Sequence, residues 1–259
     1  MSVLEFNNVS IALSKTKRRK GAGRSQRLRR FAGETKRQII PILNEVSFTL
    51  NQGDSLALVG AKSMARTSLL RLAAGTLLPD SGTVIRTEPI VPMIGIARSL
   101  GRTYTIRQNI YLIGGLLGMK PEEVNEKLPG IVEFADLSSV LDKHLGTAPP
   151  ITRQKLAWSI AMSMEARLYA VDQTLVVGER EFRQKCWTRV DELREQGATF
   201  IVSSDNSKLY RRFCDRALYF TDGTIDADTT VPEALAMARQ ARFAARDQSR
   251  APKSEESDD

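Results

Sequence analysis

The run Ser55-Leu56-Ala57-Leu58-Val59 ends in Gly60 and is followed, after seven residues of loop, by the helically spaced stretch Ser68 to Ala74, which closes at Gly75. An apolar strand that breaks at glycine and turns into a helix belongs to a layered fold, because the strand needs cover on both faces. The unit recurs. Arg153 to Arg167 carries Leu156, Ile160 and Met164 at helical spacing and leads into Leu168 to Asp172, a buried-strand pattern with a carboxylate at its end. Glu181 to Gln196 puts Phe182, Cys186, Val190 and Leu193 on one helical face, and Gly197 stops it before the strand Thr199 to Ser203. This alternation predicts a largely parallel α/β sheet.

Two further strands come first. Val3 to Ile11 alternates loosely, and Ile39 to Leu50 sets Val46, Phe48 and Leu50 on one face against Ser47 and Thr49 on the other. Residues 105–145 read as helical with no strand, which predicts a helical subdomain at about residues 100–165 inserted into the α/β core. There is no internal repeat. The expected organisation is one domain over residues 1–245 and a disordered tail over 246–259, where large apolar residues give out and Glu255, Glu256, Asp258 and Asp259 close the chain.

The net charge of +8 over 259 residues is concentrated in one place. Residues 15–38 hold eleven Lys or Arg against one acid, Glu34, a net +10, which leaves −2 for the rest. This basic insertion lies between the first two strands. It reads either as a solvated loop or as a contact for an anionic surface; Phe31 is its one aromatic, which favours inner-leaflet lipid over nucleic acid. Two cysteines, no apolar signal core ahead of the first charges, and a longest apolar run (Ile110 to Met119) about half the roughly 20 residues of a spanning helix predict a cytoplasmic chain. Cys186 and Cys214 read as core thiols, and Trp158 and Trp187 as packing residues.

The turn after Gly60 is a candidate phosphate site, since a helix amino terminus offers unpaired N–H groups to an anion. The P-loop pattern G-x-x-x-x-G-K-[ST] aligns with Gly60, Ala65, Arg66 and Thr67, with Ala65 for glycine and Arg66 for lysine, and Ser68 follows as a further candidate site residue. Alone, this stretch reads first as an ordinary strand-to-helix turn.

Its surroundings resemble the ATP-binding subunits of ABC transporters. The resemblance is carried by Leu43-Asn44-Glu45-Val46-Ser47-Phe48-Thr49-Leu50, by Gly53 to Gly60, and by Leu69-Leu70-Arg71-Leu72-Ala73-Ala74-Gly75-Thr76-Leu77-Leu78-Pro79-Asp80-Ser81-Gly82-Thr83-Val84. Arg107-Gln108-Asn109-Ile110 and Leu175-Val176-Val177-Gly178-Glu179 are similar to the branch that exports capsular polysaccharide, O-antigen or teichoic acid. The likeness covers roughly residues 3–12 and 39–226. It implies a P-loop NTPase-like ABC ATPase core with an amino-terminal antiparallel β subdomain and an inserted α-helical subdomain. It also implies ATP at the turn, Mg²⁺ on Thr67 and Asp172, an ABC-2-type membrane permease as partner, and peripheral placement on the inner face of the bacterial inner membrane. Pairing would be as a homodimer or as a heterodimer with an intact ABC ATPase.

Position by position, the family's working residues are mostly replaced. The adenine-stacking aromatic falls on Ile11, Ala12 or Leu13, and the Q-loop glutamine near Gly101, with Gln108 too far along to stand in. The signature motif falls on Ala148-Pro149-Pro150-Ile151-Thr152, where proline supplies no N–H. Asp172 is kept, but Gln173 stands where the catalytic glutamate belongs, and an amide does not accept a proton at neutral pH. The switch histidine falls on Ser204, and the lone histidine, His144, lies in the helical region. The expectation is a subunit that binds ATP weakly or not at all and does not hydrolyse it. The alternatives are an active ATPase energising polysaccharide export, and an adaptor for membrane or polyanion.

Overall fold

The computed structural model describes residues 1–16, 37–60 and 63–250. The greater part of the basic insertion and the last nine residues of the chain lie outside these.

Two long strands, β1 (Ser2–Thr16) and β2 (Arg37–Asn51), pair antiparallel along their length, from Ser2 opposite Asn51 to Thr16 opposite Arg37. With β4 (Ser81–Arg86) they form a three-stranded antiparallel sheet in the order β2-β1-β4. Val46, Phe48 and Leu50 point into its core while Ser47 and Thr49 face solvent, as the alternation predicts. The second sheet has the order β5-β6-β7-β3-β8-β9 and comprises β3 (Ser55–Val59), β5 (Ile90–Met93), β6 (Leu168–Asp172), β7 (Thr199–Ser203), β8 (Arg216–Thr221) and β9 (Thr224–Thr230). Its first five strands are parallel, and β9 closes it antiparallel to β8.

Helix α1 (Ser63–Ala73) lies between the two sheets, where Leu69, Leu70, Leu72 and Ala73 join Phe6, Val46 and Leu58 in one core. It starts five residues earlier than its apolar spacing suggests, so Arg66 and Thr67 are helical residues rather than loop residues. Ala65 accounts for the extension: it is buried and packs into that core. The other end of α1 is capped by Arg86, whose Nε donates to Ala73 O at 2.5 Å and whose Nη2 donates to Leu72 O, carbonyls a helix end leaves open.

Helices α2 (Ile96–Ser99), α3 (Ile106–Leu116), α4 (Pro121–Phe134) and α5 (Pro150–Met162) surround a core of their own, which includes Ile110, Val124, Leu145 and Leu156. Helix α5 begins three residues before the stretch read as helical, because Pro150 sits in its first turn, where a missing N–H costs nothing. It ends at Met162, where the Ser163 hydroxyl donates back to Ile160 O.

The other face of the parallel sheet is covered by α6 (Arg180–Glu195), α7 (Ser207–Phe213) and α8 (Val231–Arg250). Phe182, Cys186, Val190 and Leu193 of α6 are all buried, as their spacing predicts. Both cysteines are free buried thiols, and Trp158, buried against Phe134, donates its indole N–H to Leu175 O at 3.0 Å. Helix α8 corrects the expected boundary at 246: it runs to Arg250. Residues 239–245 are exposed, and this stretch is held by propensity rather than burial, since four alanines and two arginines among residues 238–245 are strong helix formers.

Candidate functional site

Strands β6, β7 and β3 are neighbours in the parallel sheet, so their carboxyl ends bring Asp172, Ser203-Ser204-Asp205 and Gly60 to one edge beside the start of α1. Gly60 has φ +88°, and a Cβ there would lie 2.6 Å from Phe220 O and from the Tyr219 ring. Only glycine fits this turn.

Thr67 Oγ1 donates to Asp172 Oδ2 at 2.7 Å, while Asp172 Oδ1 is buried with no partner among the described residues. Gln173 follows in the left-handed region at φ +63°. Its N–H donates to Ser203 O at 2.8 Å, and its side-chain Oε1 accepts the Asp205 N–H at 3.1 Å. The Gln173 amide is therefore a tie between the ends of β6 and β7.

Arg66 does not stand open over the turn. Its Nη2 donates to Asp205 Oδ1 at 2.5 Å in an ion pair where the arginine side chain is 9% exposed and the carboxylate 75%. Its Nε is buried without an acceptor among the described residues. Ser204 is also buried; its N–H donates to Tyr210 Oη at 2.6 Å, and that hydroxyl donates to Leu58 O at 2.7 Å. Burial drives the Tyr210 phenol far above the ordinary tyrosine range. Asn206 caps α7 by accepting the Lys208 N–H at 3.0 Å. A cavity of about 650 Å³ opens beside this cluster, lined by Gly60, Arg66, Ser204 and Asp205 and closed by residues of α7 and α8.

The structure thus brings together Gly60, Arg66, Thr67, Asp172, Gln173 and Ser204, and adds Asp205 and Tyr210, which the sequence reading did not single out. Ser68 follows half-buried on α1, and Ala65 packs into the core behind it. Gly101 lies elsewhere, with its N–H donating to Asn109 Oδ1 at 2.7 Å, and Gln108 is spent in the capping box of α3 with Thr105. Pro149 and Pro150 open α5, with Ile151 38% exposed beside them. His144 sits in the helical region with Nδ1 2.7 Å from Thr103 O. At the adenine-stacking positions Ile11 is buried, Ala12 half-buried and Leu13 exposed.

No protein-family model matches the chain. Among solved structures, the ATP-binding cassette MJ0796, a dimer in a post-hydrolysis state bound to ADP and Pi, superposes with a TM-score of 0.67 at 17% identity, covering 88% of this chain and 98% of that one. The chain has the fold of an ABC ATPase cassette. In sequence, this cassette is similar to the ABC transporter protein AbcA of Aeromonas salmonicida, 27% identical over 188 residues, or 73% of this chain and 61% of AbcA. The O-antigen export system ATP-binding protein RfbB of Klebsiella pneumoniae is 29% identical over 177 residues, covering 68% of this chain and 72% of RfbB. The polysialic acid transport ATP-binding protein KpsT of Escherichia coli is 28% identical over 196 residues, covering 75% and 89%. The cassette therefore spans about three fifths of the length of AbcA. Among its described residues no helix is long and apolar enough to cross a membrane.

Proposed function

We propose that this cassette is a non-hydrolysing, structural or regulatory nucleotide-binding subunit of an exporter for cell-envelope polysaccharide. The export assignment rests on the sequence relatives. The non-hydrolysing assignment rests on one observation above all: the cation at the lysine position, Arg66, is buried and committed to Asp205. Phosphoryl transfer depends on several groups presenting charge and a base together. Here the cation is turned away, Gln173 has no basic oxygen to offer and is engaged with the Asp205 N–H, and Ser204 has no ring to reach a phosphate.

The residues fit Mg²⁺-ATP in part. The Thr67 hydroxyl and the open Asp172 Oδ1 are the hard oxygen donors that Mg²⁺ takes alongside phosphate oxygens, and they would hold the ion. When bound, the ion would neutralise phosphate charge. The chain's own residues orient and exclude: Thr67 holds the carboxylate, Gly60 lets backbone approach closely, and Arg66 must leave Asp205 before it can meet an anion. We infer weak nucleotide binding and no turnover.

Two partners complete the reading: a membrane permease, and a second cassette that supplies intact catalytic residues, since Ala148 to Thr152 here would grip no phosphate. The basic insertion at residues 15–38 is proposed to meet anionic inner-leaflet lipid. Phosphate release from Mg²⁺-ATP by the purified chain is the deciding measurement. It is expected at background; steady release that disappears in Asp172→Ala would overturn the reading and return the protein to the active ATPases.

A further inference from the structure

The cavity beside Arg66 is walled opposite the sheet by α8. Leu235, Ala238, Arg239, Arg242 and Ala245 line it, and their spacing of three and four residues puts them on one face of that helix. This face brings two arginines to the carboxyl ends of β3 and β7. A third, Arg211, comes from α7, and the fourth is Arg66. Among the described residues Asp205 is the one acid on the wall, so this lining is +3 in net charge. Among the described residues Arg211, Arg239 and Arg242 take part in no ion pair.

Like charges gathered on one wall repel, and among the described residues only Asp205, already paired with Arg66, offsets them. Arg66 adds an independent sign of a missing partner: its guanidinium is nine-tenths buried, lines the cavity, and keeps a buried Nε–H with no acceptor among the described residues. A donor left so is costly unless something fills it. The alanines at 238, 241 and 245 leave room, and about 650 Å³ falls within the roughly 300–1,000 Å³ of small-molecule sites.

We propose that this cavity binds an oligophosphate anion, a compact ligand with two or more linked phosphoryl groups, held between α7, α8 and Arg66. Guanidinium forks match phosphoryl oxygens two at a time, and four forks from three helices suit linked phosphates better than one isolated anion. Binding replaces Asp205 on Arg66 and releases that carboxylate to the solvent it already faces. The site needs neither an adenine platform nor Mg²⁺, and it stands whether or not ATP binds at Thr67 and Asp172.

The test is calorimetric titration of the full chain with inorganic tripolyphosphate at physiological salt. Arg239→Ala/Arg242→Ala changes only exposed side chains, and a urea melt verifies its fold. The basic residues 15–38 contribute the same background to every variant. The proposal expects one saturable site in the parent chain, weakened roughly ten-fold or more per arginine lost, partly kept in Arg239→Lys/Arg242→Lys, and tightened in Asp205→Asn. ATP as competitor separates the sources: displacement of tripolyphosphate by ATP, with the same arginine dependence, identifies nucleotide phosphates as the ligand, and no displacement identifies a free oligophosphate. Absence of a saturable site, unchanged affinity in the double variant, or equal affinity for citrate would each overturn it.

Discussion

Asp172 accepts a hydrogen bond from Thr67 across 105 residues of chain, through Oδ2 at 2.7 Å, while its Oδ1 is buried and open. A carboxylate half satisfied and half open is arranged for a cation, because burying an unpaired lone pair otherwise costs stability. We expect ATP to bind more tightly with Mg²⁺ than with a chelator, and Asp172→Ala to erase that difference. Calorimetric titration under the two conditions measures it. Equal affinity in the parent chain would mean that the pair is structural.

Arg66 and Asp205 permit a cleaner energetic test. Removing Asp205 leaves a nine-tenths-buried guanidinium without its anion, and the cost expected is about 2 kcal/mol, held down by the exposure of the carboxylate. Replacing both partners with uncharged groups removes the stranded charge. Arg66→Met/Asp205→Ala should therefore recover most of the stability lost in Asp205→Ala, as measured by urea denaturation. A double variant as unstable as the single one would show that the pair does not explain the conformation of Arg66.

Tyr210 ties the switch segment to the sheet, with one hydroxyl serving both Ser204 N–H and Leu58 O. Tyr210→Phe keeps the ring and strands two buried backbone groups. The expected loss is about 2 kcal/mol, seen as a lower urea midpoint with an unchanged slope. Faster amide exchange confined to Ser204 and its neighbours would accompany it.

Much of this fold was legible because local patterns and tertiary burial agree. The alternation of Val46, Phe48 and Leu50 and the helical face Phe182, Cys186, Val190 and Leu193 each face a core. Gly75 and Gly197, at φ +71° and +84°, stop helices where glycine alone turns easily. The site was legible only as a set of replaced residues. What Arg66 does instead depends on Asp205, 139 residues away, and no periodicity links them. The wall of arginines was hidden for a related reason: Arg211, Arg239 and Arg242 look like ordinary solvated charges until α7 and α8 pack side by side. Helix α8 was not foreseen, and a tail was expected from residue 246, because composition reports missing apolar residues and not helix propensity.

The alkaline limb of the stability curve should be set by Cys186, Cys214 and Tyr210, with Tyr169, also raised by burial, adding to it. Burial raises Cys186 to about 11 and Cys214 to about 12, from 9.0 for a free thiol, and raises Tyr210 from 10.0 as well. In each case the folded state prefers the protonated form. The stability these groups contribute is fully present below their unfolded values and drains away as pH rises through the folded ones. Urea midpoints should thus be insensitive to these groups at neutral pH and fall from about pH 9 upward, since 9.0 is the free thiol value. The same burial keeps the thiolate population low, so a thiol reagent at neutral pH should leave both cysteines untouched until denaturant is added, then label two per chain. Prompt native labelling of Cys214 would show that the end of α7 opens readily. In that case Tyr210→Phe, which loosens the same helix, should speed it further.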